Sequence, residues 1–128
     1  MKGYKYTFDG SDYTLCYTGE AMFDINKIIG DAETTEALIP ETKEGFEKLC
    51  KAAALMSEQG ELARRYLGHE PEGFLEAEQI RLLLPPTERI KLYNAVMAAI
   101  VLGCDREIKE KNKEVNLTRQ KMLKKKDI

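Results

Sequence analysis

His69 is the chain's only histidine, and it stands beside Glu70 in the loop-like segment His69-Glu70-Pro71-Glu72-Gly73. A histidine next to a carboxylate has the groups for general-base work. A base also needs convergent partners, and the flanking residues supply none, so the plainer reading is a solvent-exposed loop histidine. Cys16, Cys50 and Cys104 are widely spaced, odd in number and without a CxxC pair. That spacing argues against a zinc site and against a disulfide framework. Cys50 and Cys104, on or beside apolar faces, read as core-type thiols. Glu58, Glu61, Glu70, Glu72, Glu76 and Glu78 crowd one stretch. With no matched basic or metal-binding pattern they read as a solvated face. Neither GxxxxGK(S/T) nor GxGxxG occurs, so no glycine loop cradles phosphate. The residues therefore assign no catalytic, cofactor-binding or metal-ligating position, and an enzyme is the least expected class.

The elements around these residues are more informative. Residues 42–67 read as one long amphipathic helix, with Phe46, Leu49, Cys50, Ala53, Met56, Ala63, Tyr66 and Leu67 recurring every three or four positions. Thr42 is the expected N-cap and Gly68 the left-handed C-terminal cap. Gly60 is the weak point, because an interior glycine costs up to about 1 kcal/mol against alanine. Ahead of this helix, Tyr4, Tyr6 and Phe8 alternate with Lys5 and Thr7, and Tyr13, Leu15 and Tyr17 repeat the period across an Asp9-Gly10-Ser11-Asp12 turn. This predicts a β-hairpin with one aromatic face on the helices and edges open to strand addition. Its tyrosines could stack on bases, but only Lys2 and Lys5 flank them, so the face-on-helix reading is preferred.

Thr18 is expected to cap a helix over residues 19–29, with Met22, Ile25 and Ile29 as its stripe and Phe23 at the border. Residues 31–39 predict a further turn or two before Pro40. After the loop at Gly68, helices are expected over 76–84, with Ile80, Leu83 and Leu84 apolar, and over 88–102. The second of these carries Ile90, Tyr93, Met97, Ile100 and Val101, with Ala95, Val96 and Ala99 widening the face and Gly103 as C-cap. The fold class is thus mainly α with an N-terminal β-hairpin (α+β), a small helical bundle around one long helix. Residues 1–104 form the single domain and residues 105–128 a charged, flexible tail.

The chain has 128 residues, 43% hydrophobic and 33% charged, enough for one core. Its net charge of −2 hides an asymmetry: residues 105–128 hold nine Lys/Arg and five Asp/Glu, a net of +4, which leaves −6 on residues 1–104. The basic end reads as a solvated tail, or as a contact for an acidic partner or nucleic acid. Val115, Leu117, Met122 and Leu123 are too sparse there for a core element and are candidate partner contacts. No run reaches the roughly 20 apolar residues of a membrane span, and MKGYKYTFDG lacks a signal-peptide apolar region. With the cysteine usage, this points to a reducing cytoplasm.

The pattern Tyr6-Thr7-Phe8-Asp9-Gly10-Ser11-Asp12-Tyr13-Thr14-Leu15-Cys16-Tyr17-Thr18 resembles the opening of small prophage proteins of Gram-positive bacteria, where a hairpin of the form F-D-G-x-x-Y-x-L leads into a short helix. Residues 42–50 and 58–66, and Leu102-Gly103 before a charged tail, resemble the same group. Together they resemble the tail assembly chaperones of long-tailed phages, over most of residues 4–104. The resemblance implies a small, largely helical, non-enzymatic protein that needs no cofactor. Such a protein binds the tape measure protein and keeps it soluble while the tail tube grows around it in the host cytosol. It also implies a second, longer product made by ribosomal frameshifting near the end of the frame. Lys124-Lys125-Lys126, with their A-rich codons, are the candidate slip site, against the plainer reading of a solvated cationic tail. The candidate partner-binding residues are Tyr4, Tyr6, Phe8, Tyr13, Tyr17, Leu117, Met122 and Leu123. Leftover apolar surface also suggests a homo-oligomer. Two other classes stay open: a structural or adaptor component of a phage complex, and a small nucleic-acid-binding regulator, which has only the basic tail behind it.

Overall fold

The computed structural model describes residues 3–115, with residues 105–115 described through their backbone. Two strands, β1 (Tyr4–Phe8) and β2 (Ser11–Leu15), pair antiparallel with Tyr6 opposite Tyr13 and Phe8 opposite Ser11. Asp9 and Gly10 both take positive φ, the conformation a two-residue turn of this twist requires. Helices α1 (Gly19–Ile29), α2 (Thr34–Ala37), α3 (Lys43–Tyr66), α4 (Ala77–Leu83) and α5 (Arg89–Val115) follow, with a 3₁₀ turn over Pro86–Glu88. The result is mainly α with an N-terminal hairpin, and α3 is the centre: β2, α1, α4 and α5 all pack on it.

Local chemistry sets the ends. Thr18 Oγ1 accepts from the Ala21 N–H at 3.1 Å, and Thr42 Oγ1 from the Gly45 N–H at 3.0 Å, each satisfying an otherwise orphaned donor. Gly30 and Gly68 follow α1 and α3 with positive φ. Leu49, Cys50, Ala53 and Met56 of α3 are fully buried, joined by Leu15, Ile25, Leu38, Leu75, Ile80, Leu92 and Val96 from every neighbouring element. Arg89 Nη1 donates to the Pro40 carbonyl at 2.8 Å and Tyr93 Oη to the Thr35 carbonyl at 3.0 Å, tying α5 to the segment before α3.

Several expectations need correction. The long helix's stripe ends early: Tyr66 is 90% exposed and Leu67 is exposed too. Phe46 is half-buried at the core's edge. On α1 the buried residue of the first turn is Ala21; Met22 and Phe23 face outward. Leu83 is exposed on α4. On α5 the buried line is Leu92, Ala95, Val96 and Ala99, while Ile90 and Val101 are exposed, so the inward face is rotated from the one expected.

Gly103 does not end a helix. It lies inside α5, where a Cβ would come 2.8 Å from the Tyr17 carbonyl oxygen and 2.9 Å from the Tyr17 Cβ. The helix continues to Val115 through residues expected to be weakly helical.

Gly60 is a second close approach. A Cβ there would stand 2.0 Å from the Thr14 carbonyl oxygen, and one turn earlier the Met56 carbonyl accepts from the Cys16 N–H at 3.1 Å. The strand's end therefore crosses α3 backbone to backbone. Helix propensity alone would make Gly60→Ala a gain of about 1 kcal/mol. The contact reverses the sign, and a net loss of about 1–3 kcal/mol is expected in urea titration, the usual cost of forcing a carbon into a packed interface. A more stable Gly60→Ala protein would contradict this crossing.

Candidate functional site: an apolar groove beside the long helix

His69 is exposed, with its backbone N–H bonded to the Arg64 carbonyl at 3.0 Å. Cys16 and Cys50 are buried, free thiols. Burial pushes the Cys50 thiol up to about 11, with Arg81 opposing and Glu47 adding to the shift. Burial raises Cys16 as well, so both stay protonated and poorly nucleophilic at neutral pH. Among the described residues no group of His, Cys, Asp and Glu is placed to hold a metal ion, and no helix is long and apolar enough to cross a membrane.

One carboxylate departs from the expected solvated face. Glu61 is only 4% exposed. Its Oε1 accepts from Arg64 Nη1 at 2.8 Å and its Oε2 from Arg65 Nε at 2.8 Å and from the Glu72 backbone N–H. Arg65 Nη2 also donates to the Glu72 carbonyl at 3.0 Å. Burial pushes the Glu61 carboxyl up; the Glu72 N–H and the two guanidinium groups outweigh it and hold it below the usual carboxylate range. Further along the same segment, the Leu75 N–H donates to the buried Ser57 Oγ at 2.9 Å. Two polar side chains of α3 thus hold down the segment that joins α3 to α4.

That segment completes a groove. Its floor is Ile28 of α1, Ala54 and Leu55 of α3, and Phe74, Leu75 and Ala77. Its rim carries Asp24 and Lys27 on α1, Lys51 and Glu58 on α3, and Glu76. The open volume is about 530 Å³, the size of a small-ligand site or of a few seated side chains. Ser57→Ala is expected to loosen this wall by leaving the Leu75 N–H without a partner, a loss of about 1–3 kcal/mol. Hydrogen exchange at Leu75 should rise more than at Leu49; equal protection in both proteins would contradict the anchoring role.

Of the residues singled out as partner contacts, Tyr4, Tyr6, Phe8 and Tyr13 lie on the hairpin and Tyr17 just after it. Tyr6 and Phe8 are buried core residues, their rings 6.5 Å apart. Burial pushes the Tyr6 hydroxyl up to about 12, with Glu88 and Cys50 adding to it. Tyr13 and Tyr17 are half-buried against the core, and Tyr4 is at the exposed border. Leu117, Met122, Leu123 and the Lys124–Lys126 run lie outside the described residues. The groove lies beside the main apolar stripe of α3, not on it. Its signal in the sequence is Ala54 and Leu55, apolar residues beside that stripe, and Phe74-Leu75, an apolar pair inside a polar loop. No protein-family model, no curated protein and no solved structure matches this chain.

Proposed function

We propose that this chain is a non-enzymatic binding protein whose groove between α1, α3 and residues 74–77 receives an amphipathic helical segment of a client protein. The observation that carries this reading is the groove itself: an apolar floor bounded by charged residues on both sides. Such a trough suits a helix that lays its apolar face down and keeps its charges at the rim. The resemblance to tail assembly chaperones names the client as a tape measure protein, a long helical chain that needs cover until the tail tube encloses it. The acidic body, net −6 over residues 1–104, favours basic client segments and a salt-sensitive on-rate.

Leu55 is the residue to test. It lies on the floor yet is only half-buried, so Leu55→Lys places a charge in the groove without emptying the core. Binding of a fluorescent amphipathic helical peptide should weaken about tenfold or more, the loss typical of a central apolar contact. Co-expression with a tape measure chain should raise that chain's soluble fraction with the native protein and not with Leu55→Lys. Equal binding and equal solubility with both proteins would overturn the proposal.

A further inference from the structure

The rim of the groove has a direction, and we infer that it selects a helix carrying acidic residues in its first turn and basic residues about two turns later, seated parallel to α3. This rests on the groove being a helix-binding site. Helix α1 runs antiparallel to α3: Thr18, before its start, hydrogen-bonds Gln59, while Ala32, just past its end, shares a surface hollow with Thr42, Gly45 and Lys48. Lys27 of α1 therefore lies toward the same end of the groove as Lys51 of α3. At the other end stand Glu58 and, on the wall, Glu76, which follows the Leu75 contact to Ser57. Asp24, one turn before Lys27, lies on that anionic side of it.

From Lys51 to Glu58 the rise along α3 is about 10 Å, two turns of a seated helix. A helix that satisfies both ends needs carboxylates over Lys27 and Lys51 and bases over Glu58 and Glu76. Two orientations meet that demand in principle, and the client's own backbone decides between them. Acidic residues stabilise a helix N-terminus and basic residues its C-terminus. Short helices are marginal before they bind, so the order that suits the dipole costs least to preform. The acidic first turn then sits at Lys27 and Lys51, and the seated helix runs with α3.

The test uses the full chain and two synthetic helical peptides with the same apolar positions, one acid-first and base-last, the other with every charged residue replaced by glutamine. The acid-first peptide carries a photo-reactive group at its N-terminus. It should bind about fivefold or more tightly than the uncharged one, as expected for a few rim charge pairs. That preference should vanish in 1 M salt, where the screening length is about 3 Å. It should also vanish in the Lys27→Glu/Lys51→Glu variant, whose changes fall at exposed positions and whose fold is checked by circular dichroism. Photo-adducts should map near Lys27 and Lys51. Equal binding of both peptides, or adducts near Glu58 and Glu76, overturns the directional inference and leaves the groove reading standing. No binding by either peptide overturns both.

Discussion

Leu92→Ala is expected to destabilise the fold by about 3–5 kcal/mol, while Ile90→Ala, two residues away, should cost under about 1 kcal/mol. Leu92 has no solvent exposure and Ile90 is 57% exposed. The pair separates two phases of α5 that a hydrophobic pattern alone does not separate, since Ile90, Leu92, Tyr93, Val96, Met97, Ile100 and Val101 surround much of the helix. Deleting three side-chain carbons at Leu92 removes transfer energy and leaves a cavity among rigid neighbours. At Ile90 water already covers most of the side chain. Denaturant titration of both variants checks the phase, and similar losses at the two positions would contradict the packing of α5.

Glu61→Ala is expected to cost about 3 kcal/mol, the lower end of the range for breaking a buried ion pair. The lower end applies because Arg64 and Arg65 are partly exposed and can turn toward water once the carboxylate is gone. The sign of the pH effect follows from the lowered pKa of Glu61. In the unfolded chain the carboxyl binds a proton at its ordinary value; in the fold it resists until the pH is lower. The Glu61 contribution is therefore complete above the ordinary carboxylate range and is lost as pH falls through the lower folded value. Urea titrations from pH 7 downward should show the native protein losing stability more steeply than Glu61→Gln. Parallel curves would contradict the role given to this carboxylate.

Element types were legible where the signal was local. Thr18 and Thr42 cap their helices, Asp9-Gly10 turns the hairpin, and the alternation of Tyr6 and Phe8 buries one strand face. What was not legible depends on partners distant in sequence. Gly60 and Gly103 read as a weak point and a stop, but each is where a neighbouring backbone comes too close for a side chain. Glu61 read as solvated because its third partner, the Glu72 N–H, is eleven residues away across a turn. The groove was hidden for the same reason. Ile28, Leu55 and Phe74 belong to three elements, and only the folding of residues 69–76 back onto Ser57 and Glu61 brings Phe74 beside the other two.

The most direct test of the groove as a helix-binding site is an NMR titration of the isotope-labelled chain with an amphipathic helical peptide. The expected result is that methyl and ring signals of Ile28, Ala54, Leu55 and Phe74 shift together along one binding curve. Signals of Tyr66, Ile90 and Val101, exposed apolar residues outside the groove, should stay in place. Shifts centred on Tyr66, Ile90 or Val101, with Leu55 and Phe74 unmoved at saturation, would contradict it.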